Sequence, residues 1–121
     1  MRKLPSPVTL ASGTYQGVWR DEDGRTGDCT TVLDIDGQSI KGKLAVSGVK
    51  KYSGDRISGK TVENDDGTLG VEFKTRDGMW KSKAIFDGQL LIGTFYYEFQ
   101  DRRIQRMIKG EWAAQRVPDG T

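Results

Sequence analysis

Apolar and polar residues alternate along most of this chain, in segments of seven to thirteen residues that are separated by turn-forming residues. A period of two is typical of a β-strand that presents one face to a core and the other to water. The pattern predicts an all-β fold with eight strands, and a single helical turn is expected at Val8–Ser12. The predicted strands are Thr14–Arg20, Cys29–Asp36, Ser39–Val46, Arg56–Glu63, Thr68–Arg76, Met79–Phe86, Leu90–Gln100 and Arg103–Gln115.

Asp-Gly pairs separate many of these segments. The pair favours a type I′ hairpin turn, in which both central residues have positive φ. Short connections predict that consecutive strands pair as antiparallel neighbours in an up-and-down meander. The polar segment Ser47–Asp55 is the least regular connection, and we expect it to overhang an opening of the sheet. The five pairs are Asp23-Gly24, Asp36-Gly37, Asp66-Gly67, Asp77-Gly78 and Asp87-Gly88.

Five glycines occupy inward-facing positions in mid-strand, where a side chain that fills the core is expected. Such a glycine marks a sharp bend, a close approach of two backbones, or space left for something else. Closing the sheet would also remove its two exposed hydrogen-bonding edges, so we predict an eight-stranded antiparallel β-barrel. The alternative is a two-sheet β-sandwich of the same strands. The glycines are Gly17, Gly42, Gly59, Gly93 and Gly110.

Length and charge limit the possible organisation and partners. A chain of 121 residues forms one domain, which we place at residues 14–116 between an N-terminal arm (1–13) and a C-terminal tail (117–121). A formal net charge of +2 predicts neither a nucleic-acid nor a membrane partner. The lone Cys29 favours a reducing, cytoplasmic location, although an exported protein with its signal peptide removed would have the same sequence.

The inward-facing positions combine aromatic residues with a polar minority. A barrel of eight strands is either packed solid or holds one small molecule between aromatic walls and a few polar groups. We therefore expect a cavity for a small, largely apolar ligand. The expected ligand-binding residues are Tyr15, Trp19, Thr31, Thr61, Phe73, Trp80, Ser82, Phe95, Tyr97, Arg106 and Trp112.

Arg106 interrupts the apolar phase of the last strand between Ile104 and Ile108. Inside a lumen, its guanidinium group would bind the anionic end of a ligand. A bulge or a one-residue shift of register would instead turn it to solvent beside other basic residues, and this is the interpretation that the basic surroundings favour.

Signatures of catalysis are scarce. The chain has no histidine, which excludes histidine triads, zinc sites with histidine ligands and histidine proton shuttles. Cys29 is predicted to be a buried apolar residue rather than a nucleophile, and no metal or cofactor is predicted. The acidic group Asp21-Glu22-Asp23 is expected to bind backbone donors of a turn. By strand phase, Glu72, Glu98 and Glu111 face outward.

Leu90, Ile92 and Tyr96 are apolar on the outward phase of the seventh strand, and Met107 and Ala113 continue this surface on the eighth. An apolar patch of this kind predicts a homodimer or a larger assembly.

Gly17-Val18-Trp19 in the first strand, with Arg116 shortly after Gly110-Glu111-Trp112 in the last, resembles the signature of the calycin superfamily, which includes lipocalins, fatty-acid-binding proteins and avidins. The resemblance implies that Trp19 closes the barrel floor and that Arg116 packs across its indole. Chain length and strand number are most similar to the avidin branch. The polar residues that hold biotin have no match here, so biotin is not predicted.

The sequence thus favours noncatalytic binding of a small apolar molecule in a β-barrel. The alternatives are a cyclase or isomerase on the same barrel, using a titrating tyrosine or acid, and a protein–protein interaction module with a filled core.

Overall fold

A computed structural model describes residues 12–47, 53–76, 78–87, 90–101 and 104–117, although the side chains of residues 53–54, 99–101 and 104–106 lie outside the described parts. The part of the chain so described has no helix with the length and apolar character that a membrane crossing requires. The strands are β1 (Gly13–Asp21), β2 (Thr26–Asp36), β3 (Ser39–Val46), β4 (Ser53–Glu63), β5 (Leu69–Thr75), β6 (Trp80–Phe86), β7 (Leu90–Asp101) and β8 (Ile104–Arg116).

The eight strands form a closed antiparallel barrel in sequence order. Closure occurs where β1 pairs with β8, and Tyr15 lies opposite Thr31 on one side and Arg116 on the other. The prediction of a closed meander is confirmed, and the two-sheet sandwich is wrong because no edge of β1 or β8 is left unpaired along this seam. The predicted helical turn at Val8–Ser12 lies outside the described residues, apart from Ser12.

The strand connections define two ends of the barrel. The Asp21 end carries the connections β1–β2, β3–β4, β5–β6 and β7–β8, while the Arg116 end carries the other three connections and the two ends of the barrel segment. Fourteen of the sixteen strand bounds lie within one residue of the predictions. β2 and β4 each begin three residues earlier than predicted, at Thr26 and Ser53, because Thr26 pairs with Arg20 and Ser53 with Ala45.

The inward glycines allow neighbouring strands to approach very closely. A Cβ placed on Gly93 would lie 1.8 Å from the carbonyl oxygen of Lys83, the residue before its cross-strand partner Ala84. Gly17, Gly42 and Gly59 have the same relation to a neighbouring strand. Backbone therefore occupies the space that these side chains would fill, as a sharply bent sheet requires.

At Gly110 the neighbour is a side chain. A Cβ there would lie 2.2 Å from the Phe95 ring. The expected bends and close approaches are thus present, and the volume left free by the glycines is taken up by carbonyl groups and this ring rather than by a large hollow.

The predicted type I′ turn is wrong at Asp23-Gly24, Asp36-Gly37 and Asp66-Gly67. No described residue other than glycine has positive φ, so Asp23, Asp36 and Asp66 cannot adopt that turn. Around Gly67, hydrogen bonds from Gly67 N to Asn64 O and from Asn64 N to Thr68 O define a three-residue loop that ends in a left-handed glycine.

Side chains explain this choice of loop. The Asp66 carboxylate accepts hydrogen bonds from the Thr68 amide (3.0 Å) and the Thr68 hydroxyl (2.7 Å), which stabilises a loop in which the aspartate does not have positive φ. At Asp36-Gly37 only Gly37 has positive φ, which fits a two-residue type II′ turn. Asp77 and Gly88 lie outside the described residues.

We predict that Gly93→Ala lowers the free energy of unfolding by about 3 kcal/mol or more, because the new methyl group would collide with backbone that cannot rotate away. Gly67→Ala is the matched control, since a Cβ there meets nothing within 4 Å and only its φ of 86° opposes the change. That strain costs about 1–2 kcal/mol. Urea denaturation of both variants measures the difference, and equal losses would contradict the close approach.

Candidate functional site

Aromatic rings fill the lumen toward the Asp21 end. The Trp80 ring stacks on Phe95 with 4.4 Å between centroids and 9° between planes, and Trp19 meets the same Phe95 edge-on at 6.0 Å. Trp112 packs against Phe73 at 5.9 Å. These positions come together because each lies on the inward phase of its strand at a similar height in the barrel.

Each indole N–H in this layer has a hydrogen-bond acceptor. Trp80 donates to the Ser82 hydroxyl at 2.8 Å, which is a bond within the lumen. Trp112 donates to the carbonyl of Thr94 at 3.3 Å. Trp19 donates to the carbonyl of Ser47 at 3.0 Å, and this residue lies at the Asp21 end where β3 leaves the barrel. Trp19 therefore connects the lumen to the β3–β4 connection.

A small cavity of about 10 Å³ lies inside the layer. It has room for about one water molecule. Sequence reasoning selected six of its lining residues and missed Cys29 and Leu44 as lining residues, although both lie on the inward phase that it had identified. The lining consists of Trp19, Cys29, Thr31, Leu44, Phe73, Trp80, Ser82 and Trp112.

Thr31 is the unusual polar group of this lining. Its side chain is buried, with 1% of the residue exposed, and among the described atoms Oγ1 has no hydrogen-bond partner. An unpaired buried hydroxyl costs about 1–3 kcal/mol, so its place in a wall of indoles requires an explanation.

Cys29 is a weak candidate for chemistry. Burial raises the pKa of its thiol to about 11, the Asp28 carboxylate adds to the rise, and a backbone hydrogen bond from Gly17 opposes it. The thiolate, which is the nucleophilic form, is therefore nearly absent at neutral pH.

The other predicted site residues are divided between the two ends. Tyr97 extends the aromatic layer, with its ring 5.9 Å from Trp80. Tyr15 lies toward the Arg116 end against Phe86 at 6.5 Å, and burial raises the pKa of its phenol while the charge of Arg116 opposes the rise. Thr61 is half-buried on β4 opposite Val71, away from the cavity. The Arg106 side chain lies outside the described parts.

The expected packing of Arg116 across Trp19 is wrong. Arg116 lies opposite Tyr15, four residues along β1 from Trp19, and its guanidinium group donates to the carbonyl of Ser12 at 3.1 and 3.3 Å. Arg116 thus interacts at one end of the barrel while Trp19 is hydrogen-bonded at the other.

Acidic side chains hold turns or bind lysines. The buried Asp21 carboxylate accepts hydrogen bonds from the Asp23 and Arg25 amides, each at 2.9 Å. It also forms an ion pair with the Arg25 guanidinium group at 2.8 Å. Glu72 pairs with lysines on the outer surface. In the described residues, no three Cys, Asp or Glu side chains are placed to hold a metal ion.

No family model matches the sequence, and no curated protein matches it either. Solved structures of similar fold do exist. A rhizavidin–biotin complex is 12% identical with a TM-score of 0.60, covering 93% of this chain and 99% of that chain. The protein EF1p2_mFAP2b bound to DFHBI is 13% identical with a TM-score of 0.59, covering 88% of this chain and 93% of that chain.

A third similar structure is a de novo designed, fluorescence-activating β-barrel. It is 12% identical with a TM-score of 0.56, and the match covers 94% of this chain and 100% of that chain. At these identities the similarity is one of fold. The closed eight-stranded meander is consistent with a calycin-like fold by topology, as the sequence resemblance implied.

We predict opposite effects for two substitutions in the cavity wall. Thr31→Val replaces an unpaired hydroxyl with an isosteric methyl group and should raise the free energy of unfolding by about 1 kcal/mol. Ser82→Ala deprives the Trp80 N–H of its acceptor and should lower it by about 1–3 kcal/mol. Urea denaturation measures both. A loss of stability in Thr31→Val would mean that its hydroxyl has a partner.

Proposed function

We propose that this protein is a noncatalytic binding barrel for one small, flat, largely apolar molecule, taken up in the layer of Trp19, Trp80 and Trp112. The observation that carries the proposal is the Thr31 hydroxyl, which is buried without a protein partner among the described atoms, in the wall of the cavity inside the aromatic layer. A polar group on a ligand would satisfy it. Aromatic walls with a few polar groups are the usual composition of small-molecule sites.

Ligand entry requires a side chain to move, because a cavity of about 10 Å³ is too small for any organic molecule. Trp19 is the residue best suited to move. Its indole N–H is bonded to the Ser47 carbonyl at the end of the barrel, and breaking one such bond costs about 1 kcal/mol net. Displacing the indole would free a slot of about its own size, and a ligand of one or two fused rings would refill it.

This mechanism predicts modest affinity. The closed form that the structure presents must first give way to an open form, and the apparent affinity falls by the fraction of molecules that are open. A planar ligand regains stacking contacts of the kind that Trp80 already makes with Phe95.

The similar solved structures support this class of function. Rhizavidin is in complex with biotin, and EF1p2_mFAP2b is bound to DFHBI. Because both are small molecules in complexes with proteins of similar fold, we extend small-molecule binding, but neither of those ligands, to this protein.

Catalysis by a cyclase or isomerase has less support. The cavity lining contains no carboxyl group, and its one thiol is protonated at neutral pH. Glu72 and Glu111 lie on the outer surface, as their strand phase predicts. We therefore propose binding without chemical change of the ligand.

The test is a double-mutant cycle between protein and ligand. We expect 2-naphthol to bind more tightly than naphthalene to the native protein, because only 2-naphthol offers a hydroxyl to Thr31. In Thr31→Val this preference should fall by about twofold to tenfold, the value of one hydrogen bond. Titration calorimetry measures each affinity.

Two controls test whether the preference depends on Thr31 and whether the ligand remains chemically unchanged. Thr61→Val removes a hydroxyl from the barrel wall away from the cavity and should leave the preference unchanged. Mass spectrometry of the recovered 2-naphthol should show an unaltered compound. If neither compound binds at its solubility limit, or if binding is indifferent to Thr31, the proposed site is wrong.

We also propose that the protein self-associates through the outer face of β7. Ile92 is 51% exposed, and it lies in a row of cross-strand partners that runs from Val18 through Ala113 and Ile92 to Ile85. Leu90 lies beside Ile92 on the outward phase of β7, whereas Tyr96, which the sequence prediction also included, lies outside this row and lines a separate groove. A continuous apolar row over four strands is unusual on a monomer surface.

Light scattering after size-exclusion chromatography tests the assembly. We expect the native protein to have the mass of a dimer or larger, and Ile92→Lys to have the mass of a monomer because a lysine cannot be buried unpaired at the centre of the contact. Val32→Lys is the matched control, because Val32 is an exposed residue of β2 that lies outside the row. This substitution should not change the mass. A monomeric native protein would refute the assembly.

A further inference from the structure

Charged side chains are distributed unevenly over the surface of the barrel, although the formal net charge of the whole chain is only +2. Outward positions of four adjacent strands, β3 to β6, together with Arg76 directly after β5, carry eight exposed basic side chains and, among described residues, a single carboxylate, Glu72. The net charge of this surface, which we call the basic face, is +7. Its basic residues are Lys41, Lys43, Arg56, Lys60, Lys74, Arg76, Lys81 and Lys83.

Strand pairing arranges the centre of the basic face in a line. Lys74 is the cross-strand partner of Lys81, Lys81 of Tyr96, and Tyr96 of Lys109. On the other side the line continues through Ser58 to Lys41. Neighbouring strands lie about 4.8 Å apart, so like charges are held close together. Such an arrangement is unfavourable without a bound anion.

A groove follows part of this line. It has a volume of about 440 Å³, and its charged lining residues are Lys60, Lys74, Lys81, Lys83 and one carboxylate, Glu72, with Tyr96 on the β7 side. Gly59 forms part of the lining, where β4 bends against β5. The surface is therefore concave along a row of cations.

The lysines of the groove differ in their ion pairs. Glu72 lies 3.9 Å from Lys60 and 3.6 Å from Lys83. Within the described residues, no carboxylate forms an ion pair with Lys74 or Lys81. These two ammonium groups are thus available for an external anion.

Tyr96 supplies an aromatic surface in the same groove. It is 38% exposed, and the Lys109 ammonium lies 5.9 Å from its ring centroid. A partly exposed ring among cations is suited to stacking with a nucleobase whose phosphates contact the lysines.

We propose that the basic face binds the phosphodiester backbone of a single-stranded nucleic acid, with Lys74 and Lys81 contacting phosphates and Tyr96 stacking on a base. A linear polyanion matches a linear row of cations better than a compact anion does. A membrane surface fits less well, because Tyr96 is the one large exposed apolar side chain among the described residues that line the groove. The site is separate from the lumen and does not depend on ligand binding there.

Fluorescence anisotropy with labelled dT20 and rU20 at several salt concentrations tests the proposal. We expect micromolar binding in low salt and a log–log salt slope of about −3, from about four phosphate contacts at 0.7 each. Lys74→Gln/Lys81→Gln should weaken binding at least tenfold and reduce the slope by about 1.4. The two oligonucleotides distinguish DNA from RNA as the preferred strand.

Three further variants distinguish base stacking by Tyr96 and a general effect of charge from the contacts of Lys74 and Lys81 with phosphates. Tyr96→Ala should weaken binding without changing the salt slope, whereas Tyr96→Phe should retain it. Arg20→Gln removes one exposed positive charge from β1, outside the groove, and should leave affinity within about twofold. Circular dichroism and thermal unfolding of each variant establish that the barrel is intact.

Three results would overturn the proposal. The first is no oligonucleotide binding in low salt. The second is binding that Lys74→Gln/Lys81→Gln does not alter. The third is lysine-dependent binding to phosphatidylglycerol vesicles, or salt-sensitive self-association, in the absence of oligonucleotide binding, which would assign the basic face to a membrane or to a second copy of the chain.

Discussion

The structure depends on the close approach of backbones at the inward glycines. At Gly17, Gly42, Gly59 and Gly93 a carbonyl of the adjacent strand lies where a side chain would begin. Each strand can therefore bend inward against its neighbour, and a sheet of only eight strands curves tightly enough for β1 to meet β8. Tight curvature also narrows the lumen, and the narrow lumen is why three tryptophans fill it almost completely.

Much of the fold followed from periodicity. Alternation identified all eight strands, and the mid-strand glycines favoured closure over a sandwich. The turn type was not predictable from Asp-Gly alone, because the pair is compatible with loops of two or three residues. The type of turn is determined by local hydrogen bonds, such as those that Asp66 accepts from Thr68, and by the register in which the two flanking strands pair.

The candidate site was predicted less completely, since alternation assigns a residue to a face but not to a height. Tyr15 and Trp19 share a phase on β1, yet one packs with Phe86 and the other with Phe95. Arg116 was misplaced because the resemblance transferred a contact with Trp19, whereas the register of β1 and β8 puts Arg116 opposite Tyr15. The volume of the cavity depends on how the rings stack, and the sorting of charge depends on which strands are neighbours; neither property is visible in composition.

The seam between β1 and β8 has a consequence for chain connectivity. The Val117 amide donates to the Thr14 carbonyl at 2.8 Å, and Arg116 binds the carbonyl of Ser12, so the two ends of the barrel segment are adjacent. A short peptide would join them, and the chain could then be opened at the exposed Asp66-Gly67 turn. The barrel is accordingly a natural subject for circular permutation, in which β5 would become the first strand and β4 the last.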